Sequence, residues 1–367
     1  MKTRLTRWRT RAKHEINAND DEQHRIMVGL SALRYAISWR VDRMIRNMRF
    51  RASLRHLSGP ARIPGGRQDV VVIALVRDGM YYLDEFLRYY RALGAGHFIF
   101  CDNGSGDGTL SRLADETDVT VLSSQLPWMS IENQFRRHAA QTYCANRWVL
   151  YADMDEVFVP PPTGDRSLRD LTVRLDALGA TAMLAQMLEM VPEGPLRDWV
   201  GADFASCLKG FDRYELTCIS ATPYGDHDAI PFGKLIEKNT ELGPDLKILF
   251  GGLRRRVFGE TCCLSKHPLV FVGPEVTPAV HPHCSEEVRV APATALIKHY
   301  KFAGDSLARD SDTLARGVSG HGEDALRTRA FEATPDLSLA GPDARKFEGL
   351  QPLFDAGFIL DWPEADQ

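Results

Sequence analysis

The chain has 367 residues, 44% of them apolar and 26% charged, which is the make-up of an ordinary soluble globular protein with one large domain or two smaller ones. Its net charge of −4 hides an asymmetry, because residues 1–67 hold 16 Lys/Arg against 5 Asp/Glu while the remainder holds 29 against 44. Nucleic-acid binding is not expected from this acidic body without a reader motif, no membrane-spanning run of about 18 apolar residues occurs, and the seven cysteines lack any CxxC pair, so they read as reduced, mostly buried thiols of a cytosolic protein.

The first residues, MKTRLTRWRTRAKHE, are basic but lead into no apolar segment, so they are not a secretory signal. From Arg25 to Leu57, Met27, Leu30, Leu33, Ile37, Val41, Met44 and Met48 recur at helical spacing with arginines between them, predicting a basic amphipathic helix. Such a helix docks on the body or pairs in an oligomer; alternatively, residues 1–57 rest peripherally on anionic lipid at the inner membrane face. Ser58–Gly66, SGPARIPGG, then reads as a linker, making residues 1–66 a leader.

The body, residues 67–305, opens with the apolar run Asp69–Val76, of a length and composition suited to a strand buried on both faces. Leu83, Phe86, Leu87 and Tyr90 predict a helix that Gly94 stops. Further strands are expected at His97–Asp102, Val119–Leu122 and Arg147–Asp153, with helices starting at Thr109 and spanning Ile131–Asn146. This alternation predicts an α/β fold with a mixed, mostly parallel sheet flanked by helices. Beyond about residue 200 the rhythm shortens, with KLIEK (Lys234–Lys238) and PLVFV (Pro268–Val272) read as short strands and 306–367 as a helical tail.

In such sheets ligands sit outside the carboxyl ends of the strands. Three of those ends carry acids here: Arg77–Asp78, Asp102–Asn103, and Asp153 with Asp155. If the backbone stays extended, Asp153 and Asp155 point the same way, a hard-oxygen site for Mg²⁺ or Mn²⁺. In CDNGSGDGT (Cys101–Thr109) the glycines allow a tight turn, and Asp102, Asn103 and Ser105 offer acceptors to a base or ribose. An EF-hand is excluded, since the third and fifth residues from Asp102 are Gly104 and Gly106 and the twelfth from Asn103 is Ala114. A dinucleotide fold is excluded by the missing G-x-G-x-x-G after the first strand.

In order, strand–VRDG–helix, strand–DNGSGDGT and strand–ADMDEVF resemble the family-2 glycosyltransferases of GT-A fold, most of all the bacterial branch whose catalytic strand reads D-x-D-E. Gly251–Gly259, Leu264–Val270 and Ile297–Phe302 add to the likeness, which covers about residues 69–305. The resemblance implies that Arg77, Asp78, Asp102, Asn103 and Ser105 line a nucleotide-sugar site and that Asp102 accepts from the base. It further implies Asp153 against ribose or metal, Asp155 on the metal, and a late histidine, His299 ahead of His281 or His283, as third ligand or diphosphate contact. Arg256, Lys266 and Lys301 are the cations expected to meet the diphosphate.

The expected reaction is inverting transfer from a nucleotide-diphosphate sugar to a hydroxyl acceptor, glycan or lipid-linked. It requires a general base on the far face of the sugar. Glu189, leaving an apolar strand, is the first choice because burial would raise its pKa; Asp212, Asp226 and Asp228 are rivals. Glu156 is expected to support the metal shell. A sugar nucleotidyltransferase would need a Gly-rich basic loop where this chain reads VRDGMYYLDEF. A non-catalytic nucleotide-sugar- or glycan-binding protein would have little use for intact Asp102, Asp153 and Asp155.

Overall fold

The computed structural model describes residues 41, 44–163, 167–315 and 322–363. The chain forms two compact units, Met1–Ser53 and Leu54–Gln367. In the first, residues 44–53 are helical. Most of the expected amphipathic helix, including Met27, Leu30, Leu33 and Ile37, lies outside the described residues, and with it the surface assigned to lipid. The expected helix does not run on to Leu57: Arg55–Ser58 is strand β1, so this part of the leader belongs to the second unit. Among the described residues no helix is long and apolar enough to cross a membrane.

The second unit is built on a large mixed sheet flanked by helices. Strands β2 (Val71–Val76), β3 (His97–Asp102), β4 (Val119–Ser123) and β5 (Trp148–Tyr151) run parallel in the spatial order β4-β3-β2-β5. The register runs from Val71 opposite His97 to Val76 opposite Asp102. All four strands are buried along their length, as continuous apolar runs require when helices cover both faces. Strand β1 lies antiparallel on β4 and closes that edge.

Strands β6 (Glu156–Val159) and β7 (Ala182–Glu189) follow, then four short strands: β8 (Arg213–Tyr214), β9 (Ile219–Pro223), β10 (Thr240–Glu241) and β11 (Lys247–Gly251). Strand β12 (Ser265–Phe271) inserts antiparallel between β5 and β7. After the hairpin β13 (Thr277–His281) and β14 (Cys284–Glu286), β15 (Arg289–His299) pairs parallel with β7 and antiparallel with β6. Lys234–Lys238 is not a strand, because Gly233–Ile236 forms one helical turn. An apolar run that short has no decisive period, and Gly233 packs so closely that a Cβ would fall 1.8 Å from the His227 carbonyl oxygen.

The helix Met80–Ala92 buries Leu83, Phe86, Leu87 and Tyr90, the four positions its periodicity marks, and Gly94 follows it with φ +95°. Ser167 caps the helix Leu168–Ala177, its hydroxyl accepting from the Asp170 N–H at 3.1 Å and donating to the Asp170 carboxylate at 2.7 Å. Ser167→Ala is expected to lower the unfolding free energy by about 1 kcal/mol, read as a shifted urea midpoint at unchanged m.

The tail is part of the body. Helices Ser306–Ala315 and Glu323–Ala333 are followed by β16 (Arg345–Lys346) on β8, and Thr294 and Leu360 exchange two hydrogen bonds. Of the helix expected near the end, only Gln351–Asp355 forms. All seven cysteines are free thiols, five of them buried.

Candidate functional site

This topology directs the carboxyl ends of β2, β3, β4, β5, β7 and β15 to one edge of the sheet, together with the amino ends of the antiparallel β6 and β12. Acids and bases from distant stretches therefore meet there: Asp78, Asp102, Asp153, Glu156, Glu189, Lys266 and His299.

The loops after β2 and β3 are fastened to each other. Asp78, at φ +52°, accepts from the Gly106 N–H at 2.7 Å, and its own N–H donates to the Ser105 hydroxyl at 2.9 Å. The Gly79 N–H donates to the Thr109 hydroxyl and the Met80 N–H to Asp107. Asp102 is fully buried, and its two oxygens accept from the N–H groups of Ser105 and Gly104 and from the Ser123 hydroxyl, at 2.9–3.1 Å. Asn103 donates to the carbonyls of Ser124 and Leu126. Here Asp102 and Asn103 hold the loop rather than presenting open acceptors, whereas Arg77 is exposed and, among the described residues, has only Asp78 as charge partner, at 3.8 Å.

The acid-rich stretch is not extended. Strand β5 ends at Tyr151, and the chain turns at Met154–Asp155, closed by the Glu156 N–H on the Asp153 carbonyl at 3.1 Å. The two aspartates at this turn take different partners. Asp153 accepts from Arg136 at 2.7 Å and lies 3.4 Å from Lys266, whose ammonium also donates to Glu156 at 2.6 Å. Burial works to raise the pKa of Asp153, but Lys266 and Arg136 hold it well below the usual carboxylate range. Lys266 is thus a buried counter-ion, with 6% of its surface exposed, and not an open diphosphate contact. Glu156 is occupied by it.

Asp155 turns to His299. Imidazole Nε2 faces the Asp155 carboxylate at 3.4 Å, while Nδ1 donates to Glu189 at 2.9 Å. Burial would lower the His299 pKa, but the two carboxylates override it and push it up to about 10. Asp155 is held low against its burial by His299, then by Lys301 and Arg309. Neighbouring strands produce this arrangement, since Glu189 ends β7 directly opposite His299 of β15.

The pKa of Glu189 does not rise as expected. Despite burial its pKa is lowered, by His299 and by Arg254, whose Nε lies 2.9 Å from the same carboxylate oxygen. Its second oxygen is buried with no hydrogen-bond partner among the described residues, beside a cavity of about 10 Å³, the space of one water at most. Arg254 continues inward to Glu260 at 3.4 Å, and Glu260 meets Arg327 at 2.9 Å. Charges therefore alternate from Asp155 into the helices of the tail.

The remaining candidates are placed elsewhere. Arg256 is bound to Glu215 and to the Leu339 carbonyl. His281 and His283 stack on Phe232, and burial pushes His283 down to about 3. Asp212 lies 3.5 Å from both Lys346 and Arg213, and Asp226 and Asp228 are exposed. Arg136 and Arg254 were missed by the sequence reading. The only signal was an arginine beside Phe135 within the apolar stripe of helix Trp128–Tyr143, and the first arginine of LRRR following a buried leucine.

Among the described residues no group of three or more His, Cys, Asp or Glu is arranged to hold a metal. Asp153 is engaged by Arg136 and Lys266. Asp155 and His299 form a two-ligand set with the ring oriented by a carboxylate, which fits a Mg²⁺ or Mn²⁺ that completes its shell with water and phosphate oxygens. Comparison with known proteins finds no matching family model and no curated protein of significant similarity.

Proposed function

We propose that the chain is a metal-dependent glycosyltransferase of GT-A-like fold, moving a sugar with inversion from a nucleotide-diphosphate donor to a hydroxyl acceptor, glycan or lipid-linked. The observation that carries this reading is the Glu189–His299–Asp155 series at the carboxyl edge of the parallel strands, where an α/β sheet binds its ligands.

The chain's own groups divide the work. Glu189 fixes the ring of His299 through Nδ1 and leaves Nε2 turned toward Asp155. Asp155, held ionised, supplies the carboxylate. Lys301, whose charge acts on both Asp155 and Glu189, and the exposed Arg77 offer positive charge to a departing diphosphate. A Mg²⁺ or Mn²⁺ on Asp155 and His299 would supply Lewis-acid stabilisation of that leaving group. Asp102 and Asn103, by bracing the loop, pre-set the face that the nucleotide would meet. Buried and ion-paired, Glu189 orients His299 and does not take the acceptor's proton.

The test is thermal melting with UDP, GDP, CDP or dTDP, each with Mn²⁺ or with EDTA. One nucleotide is expected to raise the melting temperature only with metal, through preferential binding to the native state. Asp155→Ala is expected to abolish that shift. If no nucleotide shifts the native protein, the transferase reading fails.

A further inference from the structure

A second cleft lies on the other side of the β15 end. It measures about 170 Å³, between helix Met80–Ala92, helix Phe204–Gly210 and strand β6. Phe86, Tyr89, Tyr90, Met154, Phe204 and Tyr300 give it an apolar, largely aromatic wall. Apolar and aromatic walls with one or two charged groups are the usual lining of a small-molecule site.

Four charged residues border the cleft, and three have partners. Glu85 and Arg88 pair with each other, and Glu156 is bound by Lys266. Lys298 is the exception. Among the described residues no carboxylate lies within ion-pair distance of its ammonium, and its nearest recorded contact is the face of Phe347 at 5.2 Å. Consecutive strand residues point to opposite faces, so Lys298 is turned away from the Glu189–His299 contact. One uncompensated cation against aromatic walls is complementary to a ligand with an apolar body and a single anionic end.

The geometry points to a binding site for a small aromatic or alkyl carboxylate, its anion on Lys298 and its body along Tyr89 and Phe204. This site borders the carboxyl edge at Glu156 but does not depend on the transferase reading.

The test is isothermal titration with 4-phenylbutyrate and with its uncharged amide, at low ionic strength. A charge-assisted contact in a partly desolvated cleft is expected to make the acid bind about tenfold or more tighter than the amide. Lys298→Met keeps the packed stem and is expected to reduce the acid to the amide's affinity, whereas Lys298→Arg retains the preference. The comparison of acid with amide on the native protein needs no variant to fold. No binding of the acid, equal binding of acid and amide, or full binding of the acid by Lys298→Met overturns the assignment.

Discussion

Arg327→Met is expected to lower the unfolding free energy by about 3–5 kcal/mol, the range for stripping one partner from a buried ion network. Only 1% of Arg327 is exposed, and it is bound at 2.7 and 3.0 Å to Asp310 and at 2.9 Å to Glu260, with Asp324 also on its guanidinium. Methionine fills the space but leaves Asp310 buried without its cation and Glu260 with Arg254 at 3.4 Å in place of two arginines. Burial already pushes Glu260 up against the pull of Arg254 and Arg327. In the variant Glu260 binds its proton more readily folded than unfolded, so the deficit should shrink as the pH falls from 8 to 5. Urea titrations at both pH values measure it. A loss under about 1 kcal/mol, independent of pH, would mean that the network is worth no more than a surface pair. Adding Glu260→Gln should recover part of the loss, since it removes one stranded charge.

Glu189→Gln is expected to weaken Mn²⁺ binding about 10- to 100-fold, the usual cost of losing the carboxylate behind a metal-facing histidine. Glutamine keeps the size and can still accept from His299 Nδ1, so the ring need not move. What disappears is the negative charge that favours a basic imidazole and balances Arg254. Free Mn²⁺ followed by electron paramagnetic resonance reads the affinity directly, without knowledge of donor or acceptor. Unchanged affinity would reduce Glu189 to a structural ion-pair partner and remove the main support for the transferase proposal.

Much of the scaffold was legible from the chain because its parallel strands are unbroken apolar runs with punctuation at both ends. His97–Asp102 is one such run, and Gly94 stops the preceding helix because its backbone is left-handed there. The carboxyl edge was legible for the same reason, since strand ends can be counted. What each acid does at that edge was not. Asp153 and Asp155 take different partners at a turn closed by one backbone hydrogen bond, and no residue type between them demands it. Which lysine remains open is decided by strand register: Lys266 enters on antiparallel β12 beside Glu156, while Lys301 lies past the end of β15. The apolar run Pro268–Val272 marks a strand but carries no direction. The tail looked detached because its anchors reach partners far away in sequence, among them Arg327 on Glu260, β16 on β8 and Leu360 on Thr294.

The place of β12 also governs how the molecule is made. Its partner β5 lies more than a hundred residues upstream, and β7 can reach the parallel strands only through β12. During synthesis the first four parallel strands can assemble early, but the open side of β5, with Trp148, Val149 and Leu150 all buried in the finished sheet, has no mate until Phe271 has left the ribosome. At roughly 5–20 residues per second that interval lasts several seconds or more, with a bare apolar strand edge exposed to other nascent chains. Chains ending before β12 keep that edge permanently, which makes fragments of the N-terminal half aggregation-prone however good their local sequence, and makes the late strand the step that commits the sheet to its final form.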